Sequence, residues 1–123
     1  TAKIIKYQRS IMELNITINE YKNSMKEVQL SGSLDSNSYQ QLDNEIKNLL
    51  ESAIHIIVLN MKDLEYISSA GIRVIVKTQK ALKLKNGGLY FMNLKPQVKK
   101  VFEIINVLPF MQIIDNLDEI DLP

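Results

Sequence analysis

Cysteine and tryptophan are absent from this chain, and histidine occurs once. Without cysteine there are no disulfides, no thiolate nucleophile and no thiolate zinc site. A cysteine-free chain fits the cytoplasm. One histidine, His55, leaves any serine hydrolase chemistry a single candidate imidazole base. Charge of one sign is also lacking: 15 basic and 14 acidic residues give a net charge of +1. No overall pull toward nucleic acid or an anionic membrane follows. No apolar run is long enough to cross a bilayer. The pair Ile4 and Ile5 is too short for the apolar region of a secretory signal.

What is there is ordinary for a globular protein, with 46% apolar and 24% charged residues in 123. That length suggests one domain around one core. Residues 1–10 have no clear period and are read as an N-terminal extension, leaving residues 11–123 as the domain.

The periodicities set an order of elements. Residues 12–18 alternate, with Met12, Leu14, Ile16 and Ile18 on one face of a strand. Residues 20–24 read as a turn, and residues 25–30 as a second strand carrying Val28 and Leu30 inward. The short connection makes this an antiparallel hairpin. Gly32, Ser33, Leu34, Asp35 and Ser36 break the pattern, and Asp35 or Ser36 can cap the helix that follows. Tyr39, Leu42, Ile46, Leu49 and Leu50 form that helix's apolar face. Residues 53–59 are a continuous apolar run broken only by His55, which suits a strand buried on both faces.

A short charged loop with Asp63 and Glu65 then leads to a helix over residues 70–85. Its stripe is Ile72, Ile75, Val76 and Leu82, and Asn86, Gly87 and Gly88 stop it. Residues 89–94 form another strand. Pro96 opens a third helix with the face Val98, Val101, Phe102 and Ile105. Residues 111–114 give a last strand, and residues 118–122 begin a final helix. The order β-β-α-β-α-β-α-β predicts an α/β domain with a mixed, mostly parallel sheet packed with helices.

The richest segment is residues 56–75, I-I-V-L-N-M-K-D-L-E-Y-I-S-S-A-G-I-R-V-I. Two serines stand where a strand gives way to a helix. Ser68-Ser69-Ala70-Gly71 lacks the leading glycine of a nucleophile elbow, and His55 lies far upstream inside a predicted strand. No phosphate-cradling G-K-[ST] loop exists. Asp115, Asp118, Glu119 and Asp121 lack calcium-loop spacing and read as a solvated acidic tail. No catalysis, cofactor or metal is expected. Arg73, Lys77, Lys80 and Lys83 make a basic helix face without interleaved aromatics, which favours a docking protein over nucleic acid. Ser68 is assigned the N-cap, worth about 1 kcal/mol. Ser69 then falls in the first turn with its hydroxyl free, where the helix dipole would favour an added phosphate.

Three segments carry a resemblance. Val28-Gln29-Leu30-Ser31-Gly32-Ser33-Leu34-Asp35 looks like a strand ending in G-x-x-D. Ile57-Val58-Leu59-Asn60 with Leu64-Glu65-Tyr66-Ile67-Ser68-Ser69-Ala70-Gly71-Ile72 looks like a strand and loop commonly written D-S-[ST]-G-L. Asn93-Leu94 with Pro96, Val98 and Phe102 completes the set, in order. The chain resembles the STAS domains, and within them the bacterial anti-sigma factor antagonists.

The resemblance implies a partner-binding switch that sequesters an anti-sigma factor and so frees a sigma factor. The anti-sigma factor would itself be a serine kinase of the GHKL type, and a serine phosphatase would reverse the modification. By position Ser69 matches the phosphoacceptor and Asp35 the aspartate of the second strand. Asp35, Ser68, Ser69, Ala70, Gly71, Arg73 and Lys77 are the expected contact residues. Ser68 stands where the family's motif has aspartate, and Ala70 replaces its second hydroxyl, leaving Ser68 as the alternative acceptor. The competing reading is a STAS module that is not phosphorylated. It would bind a small ligand or nucleotide, or act within a larger sensor or transporter assembly.

Overall fold

The computed structural model describes residues 13–22 and 24–120. Among these residues the elements run β1 (Asn15–Lys22), β2 (Met25–Leu34), α1 (Tyr39–Leu50), β3 (Ile56–Ile67), α2 (Ser69–Leu84), β4 (Gly88–Met92), α3 (Pro96–Ile104) and β5 (Gln112–Ile114). Single 3-10 turns occur at Leu108–Phe110 and Leu117–Glu119. The strands lie in sequence order in one sheet. β1 pairs antiparallel with β2, and every later pairing is parallel. The expected element order and mixed sheet are observed.

Strand alternation divides the apolar residues between two faces. Val28, Leu30, Ile57, Leu59, Leu89 and Phe91 pack with Leu42, Ile46, Ile72, Ile75, Leu82, Val98 and Phe102 in the main core. All three helices therefore cover one face. Phe91 meets Phe102 edge to face, with ring centroids 6.2 Å apart. Met25, Ile56, Val58, Met92 and Ile114 form a smaller cluster on the opposite face, closed by Ile120 and Leu117. The Tyr21 hydroxyl donates to Asp118 Oδ1 at 3.0 Å and ties that closing segment to β1. No helix among the described residues is long and apolar enough to cross a membrane.

Several boundaries differ from expectation. β1 continues through Lys22, so the hairpin reversal is tighter than residues 20–24, and Ser24 takes a positive φ of 64°. β2 does not break at Gly32 but runs to Leu34. Gly32, at φ 94°, sits in a register shift that keeps β2 paired with the lengthening β3. The segment 60–66 is strand rather than loop: Met61, Leu64 and Ile67 are buried, and Asp63, Leu64, Tyr66 and Ile67 pair with β2. β3 begins only at Ile56, which leaves His55 outside the strand and exposed. β4 stops at Met92, where Asn93 turns to φ 61°.

The helix faces differ at their margins. Tyr39 is exposed at the helix start, and Ile105 is 43% exposed because α3 ends before it. Val74 and Thr78 are buried on α2 in addition to the expected stripe. Leu117–Glu119 makes one 3-10 turn where a helix was expected, closed by a capping box between Asn116 and Glu119. Met12, the extension at residues 1–10, and residues 121–123 lie outside the described residues.

Candidate functional site

The candidate residues come together where β2 and β3 end side by side. One residue, Ser68, connects β3 to α2. Its backbone N–H donates to Leu34 O at 2.9 Å, and its carbonyl accepts from Ile72 N at 3.0 Å. The strand end thus holds the helix start directly. Gly71 completes the junction: a Cβ there would lie 2.5 Å from Leu34 Cγ. Only glycine lets the first turn of α2 approach the end of β2 so closely.

Ser68 has the extended backbone of an N-cap, with φ −109° and ψ 174°. Its side chain does not cap. The Oγ is buried and has no hydrogen-bond partner, which corrects the assigned role. The capping position is reached by the backbone, but the hydroxyl does not bond to the first-turn amides.

Ser69 is the first residue of α2 and is exposed. Its hydroxyl bonds to no described residue. The first turn of α2 carries no acidic side chain. An anion on Ser69 would therefore meet the unfilled amides and positive end of a 16-residue helix. Ala70 and Gly71 are buried, so within this group of neighbours it is Ser69 that presents its side chain outward.

Asp35 lies just beyond β2, and its carboxylate is committed to its own turn. Oδ2 accepts from the Ser33 hydroxyl at 2.8 Å, and Oδ1 accepts from Asn37 N at 2.9 Å. The Ser38 hydroxyl donates to Ser33 O at 2.7 Å and accepts from Asp35 N at 2.9 Å. Burial pushes the Asp35 carboxyl upward, but the bonds from Ser33, Asn37 and Ser38 outweigh it and hold the pKa below the usual carboxylate value. The expected cap at Asp35 or Ser36 is displaced: the N-cap residue is Ser38, and α1 starts at Tyr39. Asp35 shapes the turn that delivers the helix.

Arg73 and Lys77 extend the site down α2. Both are exposed. Lys77 Nζ pairs with Asp43 Oδ1 of α1 at 3.0 Å, while Lys47 approaches the same carboxylate at 3.4 Å. The Lys77 hydrogen bond, with help from Lys47, holds the Asp43 carboxyl below its usual range against the opposing effect of burial. Arg73 has no such partner among the described residues.

Sequence reasoning passed over Tyr66, which is 53% exposed at the same end of β3. Its signal was available in principle as an aromatic between buried Leu64 and Ile67. Glu65 beside it pairs with Lys95 at 2.8 Å and joins the start of α3 to the site. His55 lies elsewhere, with Nδ1 3.1 Å from Lys85 O.

The STAS domain model matches residues 15–120. The chain belongs to the STAS domain family. STAS domains are non-catalytic regulatory modules. The candidate anti-sigma factor antagonist BtrV of Bordetella bronchiseptica is 38% identical over 79 residues, covering 64% of this chain and 68% of BtrV. The anti-sigma-B factor antagonist of Staphylococcus aureus is 26% identical over 102 residues, covering 83% of this chain and 94% of that protein. The anti-sigma factor antagonist SpoIIAA in its unphosphorylated form shares the fold, with a TM-score of 0.75 and 22% identity over 85% of this chain and 91% of that one. Its phosphorylated form, from Bacillus, gives a TM-score of 0.68 at 21% identity, covering 85% and 95%.

Proposed function

We propose that this STAS domain is an anti-sigma factor antagonist switched by phosphorylation of Ser69. In the unmodified state the end of the sheet carrying Ser69, with the Arg73 face of α2, docks onto an anti-sigma factor. That partner would be a serine kinase of the GHKL type, and its capture frees a sigma factor. A serine phosphatase restores the binding form. The observation that carries the reading is Ser69 itself: an exposed hydroxyl, bonded to no described residue, at the first position of a helix. Similarity to BtrV, a candidate anti-sigma factor antagonist, supports the antagonist role.

The alternative acceptor, Ser68, has a buried hydroxyl and sits behind the helix start. A kinase could reach it only by opening the junction with Leu34. Asp35 supports the site by fixing the neighbouring turn rather than by offering a free carboxylate.

The test is incubation with ATP and the kinase recovered by pull-down from the native cytosol, followed by phosphopeptide mapping. Phosphate on Ser69 is the expected result. Phosphate on Ser68 would shift the acceptor by one residue. Phosphate on neither, with a transporter or large sensor complex as the captured partner, would place the domain among STAS modules that work without phosphorylation.

A further inference from the structure

We infer that Arg73 is the intramolecular partner of a phosphate on Ser69, so that modification both adds negative charge and withdraws a cation from the docking face. The inference rests on the phosphorylation reading above, and extends it to the residue that receives the new charge.

Ser69 and Arg73 stand four positions apart in α2, both exposed. Residues so spaced share a helix face, with Cβ atoms about 5–6 Å apart. Side chains on a helix lean toward its N-terminus, so a long side chain at position 73 covers the turn that holds position 69. An anion four residues N-terminal to a cation is also the favourable orientation on a helix.

Two cations near this end of the domain are already engaged. Lys77 pairs with Asp43, and Lys95 with Glu65. The Arg73 side chain has no ion pair or hydrogen bond among the described residues. Its planar guanidinium can offer two parallel donors to phosphate oxygens, which an ammonium cannot. The first turn of α2 has no acidic side chain to compete.

The charge balance gives the pair its regulatory sense. Unmodified, the Ser69 and Arg73 patch carries +1. A phosphate contributes about −1.5 to −2 at neutral pH, so the patch becomes negative by roughly half to one charge. A partner carboxylate that had used Arg73 then meets a guanidinium already occupied and a net repulsion.

The experiment places phosphoserine at position 69 by genetic incorporation, which requires no kinase. Thermal midpoints are compared with and without the phosphate, in the wild-type background and in Arg73→Gln and Arg73→Lys. The effect of phosphate on the midpoint should be more favourable by about 2 °C in the wild type than in Arg73→Gln. Arg73→Lys should recover part of that difference, and 1 M salt should shrink it. Without phosphate, Arg73→Gln should unfold at the wild-type midpoint, because the side chain has no partner there. Equal phosphate effects in wild type and Arg73→Gln would overturn the pairing. The two ideas fail separately: a positive cycle with no kinase-dependent phosphate on Ser69 sinks the phosphorylation reading and leaves the pair.

Discussion

Gly71, in the first turn of α2, lies against Leu34 at the end of β2 so closely that a Cβ would stand 2.5 Å from the leucine Cγ. Leu34 is fully buried, so any shift of its side chain would be made against its core neighbours. Two effects oppose each other in Gly71→Ala. Helix propensity favours alanine by about 1 kcal/mol, whereas overpacking costs typically about 1–3 kcal/mol. The clash involves a branch carbon rather than a flexible end, so overpacking should win. We expect a net loss of about 1–2 kcal/mol in chemical denaturation. A variant as stable as wild type, or more so, would show that the junction yields.

Ser68→Ala separates a capping serine from a buried, unpaired one. Loss of a working N-cap costs about 0.5–2 kcal/mol. The Ser68 hydroxyl makes no cap bond and is buried without a partner. Removing it should leave the unfolding free energy within about 0.5 kcal/mol of wild type, or slightly higher. A loss above about 1 kcal/mol would mean that the hydroxyl caps the helix in solution.

Asp35→Ala removes the acceptor for the Ser33 hydroxyl and for Asn37 N. Ser33 is buried, so its hydroxyl gains no full access to water in exchange. We expect a loss of about 2–3 kcal/mol, as for hydrogen bonds to a charged group. Asp35→Asn should lose less, since an amide oxygen can still accept from Asn37 N. Equal losses in the two variants would show that charge, rather than the acceptor geometry, holds this turn.

The bridge between Asp43 and Lys77 should make stability pH-dependent at the acid end. The folded Asp43 pKa lies below its ordinary value of 3.8, first through the Lys77 hydrogen bond. A depressed carboxylate stabilises the fold above the unfolded pKa, and that contribution fades as pH falls through the folded value. Wild type should therefore exceed Asp43→Asn by about 0.5–1 kcal/mol near neutral pH. The gap should close below pH 3.8. Urea denaturation across this range reads it, and a gap that persists in acid would assign the difference to packing.

If the proposed switch operates, Ser69→Ala should bind the proposed anti-sigma factor partner persistently, and Ser69→Asp should bind poorly. A carboxylate or phosphate placed in a contact shaped for a hydroxyl carries a desolvation cost of several kcal/mol unless it is paired. Isothermal titration with the purified partner measures both variants. Equal affinities would remove Ser69 from the interface.

The element order was legible because the apolar spacings are local. Leu42, Ile46 and Leu49 mark a helix wherever they stand, and Ile56 to Leu59 mark a buried strand. The extension of β3 through Lys62 and Asp63 was not legible. Those two adjacent charges interrupt the alternation, and pairing with β2 across register shifts keeps the segment extended. The place of Ser69 at the start of α2 could be read from the serine pair before a helix. The idle hydroxyl of Ser68 and the engagement of Lys77 by Asp43 could not, because each depends on where a distant segment lies.

The single-residue link between β3 and α2 has a mechanical consequence. A connector of one residue has no slack, and its N–H is already fastened to Leu34. The start of α2 cannot swing or unwind to transmit a signal without tearing at the sheet. The proposed Ser69 modification would therefore be written on the surface, in charge and hydration. A partner should then meet nearly the same backbone in both states and distinguish them by touch.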